Sequence, residues 1–328
     1  MKWKYLVLAL LLLFIGIPVY LYVSSIDWSK SHTQRIALLP KFDSTQLDGK
    51  YRLSVKQNEF VVRTWGMQNR GKNVILLHGF PESSLMWESF AKKLAQSGYC
   101  VLAFDQRGYS PNARPSNVED YALKNLANDV FEVADQVGFE QFNLVGHDWG
   151  AMVGWKAVMD KPERIQTWTA LSIPHPAVFF DAVVNDSIQR KKSEYMQLFR
   201  KPILPEFLLT YKHQAAMKGI LAKLPATQTS EYLAIMAEPG AMTAELNWYR
   251  ALDVEKEVKN KSFEKSINVP TLFIVGTEDG VVSAEIIPRQ RKYMTGRFQS
   301  MDIKTGHNLI QQEEKVVLEA LLKHLQVN

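Results

Sequence analysis

The chain of 328 residues sets 39 Lys and Arg against 34 Asp and Glu, is 46% hydrophobic and 22% charged, and has a single cysteine, Cys100. This composition excludes a disordered or low-complexity chain, and one cysteine excludes an intrachain disulfide and a Cys-rich zinc site. A net charge of +5 without a Lys/Arg stripe argues against nucleic acid as a partner, and the length suits one large α/β domain or two small ones.

Residues Tyr5–Val23 (YLVLALLLLFIGIPVYLYV) are nineteen positions without a charge. As a helix they would span about 28 Å, close to the hydrocarbon thickness of a bilayer. They predict an N-terminal transmembrane anchor over 1–25 and a membrane localisation, with Tyr20, Tyr22 and Trp28 at the interface. The alternative is a signal peptide cleaved near Val23-Ser24-Ser25, giving a secreted protein, although the apolar run exceeds the usual signal core. A polar linker over 26–50 follows.

Beyond the linker, Tyr51–Val55 and Phe60–Trp65 read as an opening hairpin. Short apolar runs rich in β-formers then recur at Val74–Leu77, Cys100–Phe104, Phe142–Val145, Ile165–Leu171, Thr271–Val275 and Phe298–Ile303. Helix-period stretches separate them at 84–97, 118–137, 149–160, 284–293 and 311–326. Strands buried on both faces beneath crossover helices predict a mostly parallel, doubly wound α/β sheet. Between 175 and 260 no strand is legible, only apolar and aromatic helical segments broken by Pro202, Pro205, Pro225 and Pro239. An insertion between consecutive strands belongs at the ligand-binding edge of such a sheet and predicts a helical lid, leaving 51–174 and 261–328 as the core.

Four strand ends carry chemistry. After Val74–Leu77 comes His78-Gly79-Phe80-Pro81-Glu82, in which Gly79 permits a tight turn and the Phe80–Pro81 bond is a candidate cis peptide. After Phe142–Val145 comes Gly146-His147-Asp148-Trp149-Gly150 and then a helical pattern, the strand–turn–helix of a nucleophile elbow with Asp148 at its apex. The backbone N–H groups of Phe80 and Trp149 would then form an oxyanion hole. A serine attacking saturated carbon would leave an ether that water does not readily cleave. A carboxylate leaves an ester that water does cleave, so Asp148 points to an sp³ electrophile such as an epoxide or an alkyl halide. The ester next needs a base. Among the histidines, His307 in Thr305-Gly306-His307-Asn308 falls after the last strand, whereas His32 lies in the linker, His324 on the terminal helix, and His147 beside the nucleophile, facing away from it. An acid to orient His307 is expected after TLFIVG, where both Glu278 and Asp279 stand.

HGFPE, FDQRGYS (104–110), GHDWG, IPHP (173–176) and NWYR (247–250) together resemble the epoxide hydrolases of the α/β-hydrolase superfamily, over roughly residues 50–328. The resemblance implies an α/β-hydrolase fold and a covalent aspartyl-ester route from epoxide to vicinal diol, with no metal or cofactor. It implies Asp148 as nucleophile, His307 as base, Asp279 rather than Glu278 as the orienting acid, and Tyr195 and Tyr249 in the lid as proton donors. A phenol suits that role because it stays protonated at rest and meets an alkoxide when the ring opens. Tyr211 and Tyr232 are fallback candidates. Asp105 and Arg107 match a structural loop of the family, in which Ser110 replaces a usual glycine. Trp149 and Trp248 are expected to line the substrate site. In a rival reading, a haloalkane dehalogenase, those two indoles would cradle a halide, though Phe80 stands where such enzymes tend to show Asn or Glu. A second rival is a catalytically silent ligand-binding protein of the same fold. The expected partner is a small lipophilic epoxide.

Overall fold

In a computed structural model the residues described are 32–326, apart from Ser44, Gln46 and Arg70. The anchor expected over 1–25 lies outside them. Among the described residues no helix is long and apolar enough to cross a membrane. The longest, Leu204–Ile220, has 17 residues and carries Glu206, Lys212 and Lys218. The membrane localisation expected from the sequence is corrected accordingly.

Eight strands form one sheet: β1 (Gly49–Val55), β2 (Asn58–Trp65), β3 (Asn73–Leu77), β4 (Cys100–Asp105), β5 (Phe142–His147), β6 (Ile165–Leu171), β7 (Thr271–Gly276) and β8 (Phe298–Ile303). Their order is β1-β2-β4-β3-β5-β6-β7-β8. The pairs β1–β2 and β2–β4 are antiparallel, and every other pair is parallel. Each residue of β4, β5 and β7 is buried, as continuous apolar runs require when helices cover both faces. The hairpin strand β1 instead alternates inward Tyr51, Leu53 and Val55 with more exposed neighbours, since it lies at the sheet edge.

Three predicted helices differ in form. The segment over 84–97 is a 3₁₀ turn (Ser84–Trp87) running into α2 (Glu88–Gln96), and the next is a 3₁₀ turn (Val118–Tyr121) before α3 (Leu123–Gln136). The segment over 284–293 is 3₁₀ throughout, because Pro288 inside it has no N–H for an α-helical ladder. The linker is also more ordered than expected. Residues His32–Ala37 form a short helix, α1, in which Thr33 donates from both N (2.9 Å) and Oγ1 (2.6 Å) to the carboxylate of Glu238.

After α4 (Trp149–Asp160) and β6, seven helices intervene among the described residues before β7: α5 (Pro176–Asn185), α6 (Ser187–Lys192), α7 (Glu194–Phe199), α8 (Leu204–Ile220), α9 (Ala226–Met236), α10 (Ala241–Arg250) and α11 (Val254–Lys259). The IPHP stretch starts them. His175 caps α5 by accepting from the N–H of Ala177, and Pro176 occupies the first helical position. The His175 ring stacks on Tyr293 at 4.4 Å, and burial lowers its pKa to about 4, so it packs as a neutral ring. The chain closes with α12 (Leu309–Gln312) and α13 (Glu314–Leu325).

Candidate active site

The topology brings the chemistry-bearing residues to the C-terminal edge of the sheet. Asp148 follows β5, flanked by the loop after β3 and the end of β6, with Asp279 after β7 and His307 after β8. The elbow needs its glycines. A Cβ on Gly146 would stand 2.3 Å from the Gly150 carbonyl oxygen, and one on Gly150 would stand 2.2 Å from that of Leu77. Only hydrogen fits where strand, turn and helix pass so closely. The turn holds Asp148 at φ 53 and ψ −121, a conformation an L-residue keeps only under constraint from its surroundings.

The Phe80–Pro81 peptide is cis. Phe80 N–H donates to Asp148 Oδ1 at 2.9 Å, so one oxygen of the carboxylate already rests on a backbone donor. The other, Oδ2, lies 3.4 Å from His307 Nε2. On the far side of the imidazole, Nδ1 is 2.9 Å from Asp279 Oδ2. Asp279 Oδ1 accepts from the N–H groups of Val281 (2.6 Å) and Val282 (3.2 Å). Glu278, the other acid of this loop, is exposed. Burial works against charge on all three groups, yet they hold one another ionised. Despite it, His307 and the Trp149 backbone N–H keep the Asp148 carboxyl below its ordinary range. Despite it, His307, Ser172 and Val281 keep that of Asp279 far below. The two carboxylates, Asp279 foremost, outweigh burial and raise the His307 imidazole well above its usual value.

Asp148, Trp149, Tyr195 and Tyr249 line one small cavity, otherwise walled by apolar side chains such as Met152, Ile173, Phe179 and Leu252. Tyr195 comes from α7 and Tyr249 from α10, and their rings meet edge to face at 6.2 Å. Trp149 packs on Tyr249 at 4.9 Å and Phe80 on Tyr249 at 5.5 Å. Burial is the first cause pushing both phenols up, and the Asp148 charge adds to it, so both stay protonated.

Trp248 is placed otherwise than expected. Its indole N–H donates to the Arg107 carbonyl at 2.9 Å, and it is absent from the cavity wall. Tyr232 is buried beside Gln228, and Tyr211 packs its ring tilted against Phe207, and neither fallback tyrosine lines the cavity. His32 and His324 are buried elsewhere. Asp105 and Arg107 hold loops: Asp105 Oδ1 accepts from Ser84 N (2.8 Å), and Arg107 forks onto Asp129 at 2.8 and 2.6 Å. Ser110 fits in place of glycine because its hydroxyl accepts from Val61 N at 2.9 Å and donates to the Asp105 carbonyl. The positive φ of this loop falls on Gly108 instead.

Sequence reasoning missed two neighbours. His147 does not merely face away: its Nε2 sits 2.8 Å from the His307 carbonyl oxygen, with buried Glu82 3.5 Å from its other nitrogen. Ser172, the residue after β6, touches both Asp279 and His307. Its place at a strand end was the available signal. Among the described residues no group of three or more His, Cys, Asp or Glu side chains is arranged to hold a metal.

Residues 72–314 match the family model described as alpha/beta hydrolase fold. The AB hydrolase superfamily protein YfhM of Bacillus subtilis is 32% identical over 78% of this chain and 90% of its own length. Epoxide hydrolase A of Mycobacterium tuberculosis is 30% identical over 77% of this chain and 89% of its own. The structure of a Bacillus megaterium epoxide hydrolase in complex with an inhibitor superposes with a TM-score of 0.77 at 24% identity, over 84% of this chain and 99% of that one. Order of strands, elbow and family match agree: this chain is a member of the α/β-hydrolase family.

Proposed function

We propose that this chain is an epoxide hydrolase in which Asp148 is the nucleophile, Tyr195 and Tyr249 the proton donors, and His307, oriented by Asp279, the base. One observation carries the reading: a carboxylate at the elbow apex and two protonated phenols line the same apolar cavity. Asp148 Oδ2 forms a bond to an oxirane carbon as the carbon–oxygen bond of the ring breaks, and the freed oxygen takes a proton from a phenol. Asp148 Oδ1 remains on the Phe80 N–H, positioned to become the oxyanion when the ester is attacked. Water then adds to the Asp148 acyl carbon and gives its proton to His307 Nε2. The bond from acyl carbon to alkyl oxygen breaks, His307 passes its proton to the departing alkoxide to complete the diol, and the water's second proton, left on the regenerated Asp148 acid, returns to the phenolate.

The helices over 175–260 act as the lid, since they supply both phenols and the roof of the cavity. Its apolar walls favour epoxides with hydrocarbon substituents. Relatives and a solved neighbour that are themselves named epoxide hydrolases support the same reading. A dehalogenase would need two N–H donors free for halide, and the Trp248 indole is engaged by Arg107.

The test is single turnover of styrene oxide in heavy-oxygen water. The first diol is expected to carry no solvent oxygen at the newly opened carbon, while Asp148 gains one. Solvent label in that first diol contradicts the covalent route. The Tyr195→Phe, Tyr249→Phe double variant is expected to lose ring opening at least a hundredfold; an unchanged rate removes the pair from the mechanism.

A further inference from the structure

Eight non-glycine residues among those described have positive φ. Two of them, Asp148 and Ser172, follow adjacent parallel strands, β5 and β6, and their side chains reach opposite nitrogens of His307. Ser172 sits at φ 73, and the Ile173 N–H reaches across it to the Leu171 carbonyl at 3.0 Å. That is a γ-turn of the rare positive-φ kind, unfavourable for a residue with a side chain. The turn aims a fully buried hydroxyl at Asp279 Oδ2 (2.7 Å) and sets its oxygen 3.0 Å from His307 Nδ1.

We propose that Ser172 is a positioning residue for the base: it ties the Asp279 carboxylate and the His307 imidazole together so that the ring proton stays on Nδ1 and Nε2 is left to accept from water. The hydroxyl has one proton, and it is donated to Asp279. Its oxygen is then an acceptor toward Nδ1–H, which is shared between Asp279 Oδ2 and Ser172 Oγ. A ring held at two points on one side cannot turn its Nε2 away from Asp148. This role belongs to ester hydrolysis, the step that uses the base, and not to ring opening, which uses the carboxylate and the phenols. The inference rests on the proposed two-step function.

The experiment follows both steps by quenching reactions of styrene oxide with full-length protein and weighing the ester-modified chain by mass spectrometry. Wild type, Ser172→Ala and Ser172→Gly are compared. Alanine keeps a side chain in the strained turn and loses the hydroxyl, whereas glycine relieves the strain and loses the hydroxyl as well. Both variants are expected to form the ester within twofold of the wild-type rate and to hydrolyse it roughly tenfold more slowly, so that modified protein accumulates. Hydrolysis at the wild-type rate in either variant overturns the proposal: in both, the hydroxyl is idle; in glycine alone, the serine serves only the turn. Equal slowing of both steps overturns it too. If wild type yields diol with no ester at any time, the failure is that of the two-step function itself.

Discussion

At the scale of single residues, the site is a set of charges that keep one another in place. The His307 imidazole lies between two carboxylates, with Nδ1 on Asp279 at 2.9 Å and Nε2 near Asp148 at 3.4 Å. Burial lowers its pKa, and the charges of Asp279 and Asp148, with their hydrogen bonds, more than reverse that. In the resting protein His307 is therefore protonated over a wider range than an ordinary histidine. In the proposed route, ester formation cancels the Asp148 charge. One of the two causes of the raised pKa disappears, and the ring becomes ready to deprotonate when it is needed. Asp148→Asn, which leaves a neutral group of the same shape, is expected to lower the His307 pKa relative to wild type. Ring titration followed by NMR measures it, and an unchanged or higher value in the variant contradicts this coupling. The linkage to folding has the matching sign. A raised histidine stabilises the fold fully below its unfolded value of about 6.5, and that contribution is lost as pH rises through the folded value.

At the scale of elements, α10 carries more than Tyr249. One turn earlier on the same helix, Glu245 is 1% exposed, and neither of its carboxyl oxygens has a hydrogen-bond partner among the described residues. Burial pushes its pKa well up, with only Arg114 opposing, so the folded protein holds it as a neutral acid. Its unfolded counterpart ionises near 4.3, and folding loses stability as pH rises from there toward the folded value. Glu245→Gln removes the ionisation and keeps the shape. It is expected to match wild type near pH 4 and to be more stable by about 1–3 kcal/mol at pH 8. Denaturant unfolding at the two pH values checks it, and a pH-independent difference would count against the burial argument. Such a group was invisible in AMTAELNWYR, where a glutamate in an amphipathic pattern reads as solvent-facing. The strands of the sheet interior were legible because a short apolar run rich in β-formers, set between helix-period stretches, suits a strand covered on both faces. The elbow was legible because its glycines leave room for nothing else. What the sequence hid depends on contacts between distant segments. Trp248 turned to the Arg107 carbonyl, His147 came to rest on the His307 backbone, and Ser172 acquired its role from a γ-turn that no local pattern announces.

At the scale of the molecule, the helices over the cavity must be held to the sheet that carries Asp148. A buried charge cluster between α9 and the core does this. Glu231 on α9 accepts from Arg63 Nη2 on β2 at 2.7 and 2.6 Å, from the Ser83 hydroxyl at 2.7 Å, and from Lys50 Nζ on β1 at 3.1 Å. Arg63 also donates to Ser84 at 2.9 Å, and its side chain is only 7% exposed. Burial opposes the Glu231 charge, but Arg63 and Lys50 outweigh it and lower the pKa to about 2. A depressed carboxylate stabilises the fold above its unfolded pKa, near 4.3, and that contribution fades as pH falls toward 2. The junction of α9 with the sheet is thus set to loosen in acid over that interval. Glu231→Gln takes from the buried Arg63 guanidinium its close counter-charge and leaves only Asp105 Oδ1, 4.0 Å from Nη1, and breaking such a buried pair by precedent costs up to about 3–5 kcal/mol at neutral pH. Because the cluster lies away from the cavity wall, the variant is expected to unfold at lower denaturant at pH 7. The gap from wild type should narrow toward pH 2–3, where Glu231 is itself becoming neutral. A gap that stays constant through this range would mean that the junction is held by packing and not by the charge of Glu231.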